Sequence, residues 1–154
     1  MSNDLVITDY DPRWPQFFAE LRARLADLLG EKAAAIEHVG STSVPGLAAK
    51  PIIDLDVLLA SRADLATAIQ LLATIGYGHR GDLGIKDREA FQTPPGQYPH
   101  HLYVCPPDSA EFRRHVLLRD YLRSYPGEAA AYGRLKWSLV AEVGKDRAEI
   151  GSVV

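Results

Sequence analysis

The chain has 154 residues, 47% hydrophobic and 24% charged, a usage that excludes intrinsic disorder as the main state and suits one packed core. No window approaches the ~20 uninterrupted apolar residues of a membrane helix. A net charge of −3 leaves no global basic footprint for duplex nucleic acid.

In chain order, Asp11-Pro12 reads as a helix opening, an acidic cap followed by proline in the first turn. Trp14, Phe17, Phe18, Leu21, Leu25, Leu28 and Leu29 then recur at helical spacing until Gly30. Ala35–Val39 is a strand candidate leading into the turn-rich segment Gly40–Gly46, and Pro51 precedes the apolar strand Ile52–Leu59. Ser61 is placed to cap a second helix over Arg62–Ile75, with Gly76 at its end. Between 77 and 105, Ala90–Thr93 and His101–Cys105 read as short strands. Two helices follow, one over Glu111–Ser124 stopped by Pro126, the other over Glu128–Val143 with Tyr132, Leu135 and Leu139 on one face. This order predicts an α+β fold, a mixed sheet with flanking helices, as a single domain over residues 1–154. The lone Cys105 cannot form an intrachain disulfide, and Met1-Ser2-Asn3-Asp4 has no signal character, so a cytoplasmic protein is expected. Trp14 and Trp137 read as packing anchors and Cys105 as a small buried residue.

The chemistry concentrates in His38-Val39-Gly40-Ser41 and Ile53-Asp54-Leu55-Asp56-Val57. Strand alternation puts Asp54 and Asp56 on one face and Ile53, Leu55 and Val57 on the other. Two such charges repel by roughly 4 kcal/mol at about 4 Å and an effective dielectric near 20. A divalent cation offsets that, Mg²⁺ being the hard ion that favours carboxylate oxygens; a retained proton or open water are the alternatives. Gly40 allows close backbone approach, and Ser41 offers a hydroxyl and N–H groups at a helix start, a phosphate cradle that also reads as an ordinary turn. Lys50 and Arg88 are the cations placed nearest such a pocket, Arg88 able to hold an oxyanion bidentately. His38, His100, His101 and Tyr103 add a second set of candidates. A centre of His38, Asp54, Asp56 and His101 suits Mn²⁺ or Zn²⁺ and a phosphohydrolase. His79 and His115 read as surface or hydrogen-bonding residues, and Arg113, Arg114, Arg119 and Arg123 as a solvated face or a protein-partner surface, with Arg119 set apart by the block that contains it.

An apolar residue, Gly-Ser, twelve residues and Asp-apolar-Asp-apolar resembles the signature of the polymerase-beta-like nucleotidyltransferase superfamily. The whole block His38–Asp54 is similar to the hallmark of the GrpB (UPF0157) family within that fold. Tyr10-Asp11-Pro12-Arg13-Trp14, Gly81–Ile85 with Arg88–Phe91, His100-His101-Leu102 and Arg119–Arg123 agree with it over about residues 6–140. The resemblance implies a nucleotide or other phosphate-containing ligand, Mg²⁺ on Asp54 and Asp56, and phosphates on Gly40 and Ser41; His101 is a metal-ligand candidate from the His/Asp set alone. It leaves enzymatic activity open between a nucleotidyltransferase of unknown acceptor and a non-catalytic accessory module of the kind found fused to dephospho-coenzyme A kinase. This chain has no Gly-x-x-x-x-Gly-Lys-[Ser/Thr] loop, so no kinase chemistry is expected. It also departs from the pattern: the superfamily's third carboxylate has no counterpart, Tyr103 stands where the family usually has histidine, and Lys145–Val154 is unlike the family's closing segment.

Overall fold

A computed structural model describes residues 6–133. Its first helix starts later than expected. The Asp11 carboxylate accepts the Arg13 N–H at 2.9 Å and holds the Arg13 guanidinium at 2.8 Å, which makes Arg13 the capping position. Helix α1 then spans Trp14–Leu29 with Pro15 in its first turn, and it buries Trp14, Leu21, Leu25 and Leu29 along one face. Trp14 is the anchor expected of it, fully buried, with its indole N–H donated to the Tyr98 hydroxyl at 2.9 Å.

Strand β1 (Ala33–Val39) pairs antiparallel with β2 (Ile53–Leu59). A short turn, Arg62–Asp64, whose cap Ser61 accepts the Ala63 N–H, leads into α2 (Leu65–Thr74). The chain continues through β3 (Gly78–Gly81), β4 (Glu89–Gln92), β5 (His100–Cys105) and α3 (Ala110–Ser124). Strand β3 is the one element the periodicity did not predict. The last expected helix begins at 126; its continuation to Val143, with Leu135, Trp137 and Leu139, and the segment Lys145–Val154 lie outside the described residues.

The five strands form one mixed sheet in the order β1-β2-β5-β4-β3, with β2 and β5 parallel and the other neighbours antiparallel. This is an α+β architecture. Ile53, Leu55, Val57 and Leu59 of β2 are fully buried against α1 and α2, together with Leu102 and Val104 of β5. Burying a side chain of that size stabilises by roughly 1.5–3 kcal/mol, so this face holds the sheet together. Cys105 is buried, as expected. The opposite face of β2 carries Asp54 and Asp56 and lies under α3. A second apolar cluster of Val44, Leu47, Leu122 and Ala129 with Tyr132 ties the loop after β1 to the end of α3 and the helix beyond it. Among the described residues, no helix is long and apolar enough to cross a membrane.

Candidate functional site

The site grows from the end of β1. Gly40 adopts φ +74, and a Cβ built there would sit 2.2 Å from Asp54 Oδ2. Only a residue without a side chain lets the loop close on that carboxylate. Ser41–Ser43 then make a single three-residue 3₁₀ turn, in which the Ser43 hydroxyl donates back to the Gly40 carbonyl. The expected helix start is thus one short turn. Arg123 of α3 donates its Nε–H to the Ser43 carbonyl at 2.9 Å, and Arg119 donates to Glu37 at 2.6 Å and to the His38 carbonyl at 3.1 Å. Two arginines expected on a solvated face therefore pin α3 over β1 and the loop.

Register brings the two acidic positions against the expected partners. Asp54 lies opposite His101 and Asp56 opposite Tyr103 across the parallel β2–β5 pair. All four belong to the same face, as alternation requires. A cavity of about 490 Å³ opens on this face, lined by Gly40, Ser41, Lys50 and Asp54 toward β1 and by Arg88, His101 and Tyr103 toward β5. The predicted residues Gly40, Ser41, Lys50, Asp54, Arg88, His101, Tyr103 and Arg119 all line it, while Asp56, on the same face of β2, is fully buried beneath His115 and does not line it.

Two candidates are corrected. His38 shares strand parity with Ile36 and faces the core, its ring stacked on Phe18 and its Nε2–H donated to Thr42 Oγ1 at 2.9 Å. Burial, then the charges of Arg123 and Arg119, lower its pKa to about 4, so it is a neutral packing residue. His100 points to the same core side, where its Nδ1–H donates to the Tyr98 carbonyl and its Nε2 accepts from the Tyr77 hydroxyl, both at 2.7 Å. The set His38, Asp54, Asp56 and His101 is therefore not assembled, and among the described residues no three or more His, Cys, Asp or Glu side chains converge as a metal cluster.

His115, expected as a surface or hydrogen-bonding residue, is hydrogen-bonded within the site. It reaches in from α3 and donates Nδ1–H to Asp56 Oδ2 at 2.6 Å, while its Nε2 faces Glu111 at 3.2 Å and Arg114 grips Glu111 at 2.7 Å. Burial opposes a charge on His115, but the bond to Asp56 and the charges of Asp56 and Glu111 outweigh it, and its pKa lies above the ordinary histidine value. With carboxylates at both nitrogens, each ring N–H of the imidazolium form has an acceptor, which favours that form. A signal existed: Glu111, His115, Arg119 and Leu122 recur at helical spacing, a stripe facing the cavity.

Burial pushes the Asp54 pKa up to about 6, with Asp56 adding to the rise and His101, His115 and Lys50 opposing it. Its carboxylate has no hydrogen-bond partner among the described residues. Asp56 keeps one buried oxygen, Oδ1, without a partner. Two carboxylates offering open oxygens, beside a loop that only glycine lets close, fit Mg²⁺, which takes one or two protein carboxylates and completes its shell with water and phosphate. Tyr103, pushed up to about 12 by burial and the neighbouring acids, stays a protonated hydroxyl.

A family model described as GrpB protein matches residues 4–150. The UPF0157 protein YqkA of Bacillus subtilis is 36% identical over 133 residues, 86% of this chain, and the chain spans 39% of that relative's length. The crystal structure of conserved protein GrpB from Enterococcus faecalis superimposes with a TM-score of 0.82 at 34% identity, covering 96% of this chain and 94% of that one. A cytoplasmic RNA terminal U-transferase gives a TM-score of 0.51 at 20% identity over 79% of this chain and 40% of its own, a likeness of fold.

Proposed function

Since the chain belongs to the GrpB family and has the polymerase-beta-like nucleotidyltransferase fold, we propose that its cavity binds a nucleoside triphosphate with a divalent cation and passes the nucleotidyl group to a second substrate. The observation that carries this reading is the closure of Gly40 on Asp54, which sets the phosphate-side loop directly against the carboxylate facing the cavity. Asp54 and Asp56 Oδ1 would hold the cation. When bound, it supplies charge stabilisation for the attacking and leaving oxygens of an in-line displacement at phosphorus. Gly40 and Ser41 form the wall along which the phosphates lie, and Lys50, a charge neighbour of Asp54, neutralises them. His115 fixes the Asp56 carboxylate through Oδ2, so that Oδ1 stays turned away from it.

The test is a thermal-shift panel of the four nucleoside triphosphates with and without Mg²⁺. A ligand at 100 times its dissociation constant adds about 2.7 kcal/mol. A cation-dependent shift in the wild type should vanish in Asp54→Asn; equal nucleotide affinity in that variant would sink the assignment. A second reading, a binding module without turnover, is favoured by one observation: His101 and Tyr103 stand opposite the two acids on the strand that offers no third carboxylate. Nucleotide binding with no pyrophosphate release in the presence of candidate acceptors supports that version.

A further inference from the structure

The cavity has two ends, and they carry different cations. Lys50 is a charge neighbour of Asp54, beside Gly40, whereas Arg88 acts on Asp56 and Tyr103. By register, Tyr103 lies two strands across from Gly40 and three residues along the sheet, on the order of 14 Å away. The Arg88 guanidinium lies over the Tyr103 ring at 4.3 Å from its centroid. Its side chain forms no hydrogen bond or ion pair with any described residue, although its Nε is buried. A buried guanidinium N–H without an acceptor costs free energy comparable to a lost charged hydrogen bond.

The chain fixes Arg88 in that position at some expense. Among the described residues, the non-glycine residues with positive φ are Leu83 and Asp87, at +51 and +61, both in the loop that delivers Arg88. Such conformations cost of order 1–3 kcal/mol each and persist where their surroundings hold them. Asp87 is held from two sides. Arg62 donates to its carboxylate at 3.1 Å, and the Ser109 hydroxyl donates to its carbonyl at 2.8 Å. Ser109 also accepts the Phe112 N–H as the cap of α3, so the loop is tied to the helix that roofs the cavity.

We infer that Arg88, backed by Tyr103, is an oxyanion subsite separate from the triphosphate end, and that the second substrate carries a carboxylate or phosphate group which it holds. The planar guanidinium presents Nε and a terminal nitrogen in parallel, the geometry that pairs bidentately with two oxygens of one group. The phenol face holds the guanidinium in place by a cation–π contact, and Arg88 lines the cavity. Resting on the reading above only for which end takes the triphosphate, this makes the acceptor an anionic small molecule.

Isothermal titration of the full chain with inorganic phosphate, and separately with malonate, tests the subsite and distinguishes the two anion sources. Wild type should bind at least one of them, and binding should persist with a Mg²⁺–triphosphate at saturation. Arg88→Gln should weaken that anion by about tenfold or more, and Arg88→Lys, which keeps the charge but lacks Nε, by nearly as much. Lys50→Gln should change it by less than about threefold, being at the other end. Arg88→Lys carries the test if Arg88→Gln fails to fold. The inference is overturned if neither anion binds wild type, if Arg88→Lys binds as wild type does, or if the triphosphate displaces the anion and Arg88→Gln weakens both alike. Arg88-dependent anion binding by a chain that binds no nucleotide would uphold the subsite and refute the triphosphate reading instead.

Discussion

Asp54 and His38 lie on adjacent strands, on opposite faces of the sheet, and pull the stability of the chain in opposite directions over one pH window. Burial raises the Asp54 pKa to about 6, so its contribution is fully present below the unfolded value of 3.8 and is lost as pH rises through 6. His38 is lowered from 6.5 to about 4, so its contribution is present above 6.5 and is lost as pH falls toward 4. The two blunt each other in the wild type. Asp54→Asn removes one side of the balance. In chelator, its melting temperature should match wild type near pH 4, rise above it by an amount worth at most about 3 kcal/mol by pH 6.5, and keep that lead at higher pH. A lead independent of pH in melts from pH 4 to 8 would show that Asp54 ionises alike folded and unfolded. Alternation alone made Asp54 and Asp56 legible in the sequence. The same rule, applied to Ile36 and His38, puts that histidine in the core; what hid it was the composition of β1, where apolar residues fall on both parities, Ala34 and Ile36 on one and Ala33, Ala35 and Val39 on the other.

At the scale of elements, α3 decides whether the site exists. Its polar stripe turns inward and its apolar residues Leu117 and Tyr121 turn to solvent, 61% and 47% exposed. That is the reverse of the usual surface-helix pattern, and it is why the arginines of this helix read as a solvated face or partner surface and nothing in the sequence aims His115 at the acids. Arg119 is only 10% exposed and bridges Glu37 and the His38 carbonyl. Removing one partner of such a pair leaves the other uncompensated. Arg119→Ala should cost about 2–4 kcal/mol in urea denaturation, and the double-mutant cycle with Glu37→Gln should show coupling above about 0.5 kcal/mol. Additive costs would mean the arginine acts through packing alone. Strand β3 escaped prediction for a different reason: Gly-His-Arg-Gly has no apolar alternation, and it is a strand only because β4 supplies the other half of its ladder.

For the whole molecule, the α+β class and the main elements were legible from periodicity, but the strand order was not. The parallel pairing of β2 with β5 joins segments more than forty residues apart, and no local pattern encodes it; only the block-wise resemblance implied the arrangement. That pairing buries Leu55 completely at the centre of the sheet. Leu55→Ala should cost about 2–5 kcal/mol and lower the melting temperature by a single cooperative transition. A loss below about 1 kcal/mol would mean that the surrounding helices collapse into the gap.

Strand β2 presents packing on its odd-numbered residues and its two acids on even-numbered ones, Asp54 lining the cavity, so that chain neighbours serve the core and the site from opposite sides of a single layer of backbone. A library that randomises only the cavity-side positions of β2, β5 and the Arg88 loop therefore samples new ligand preferences while leaving every contact of α1 and α2 in place. Descendants of one such scaffold can diverge in what they accept long before they diverge in how well they hold together.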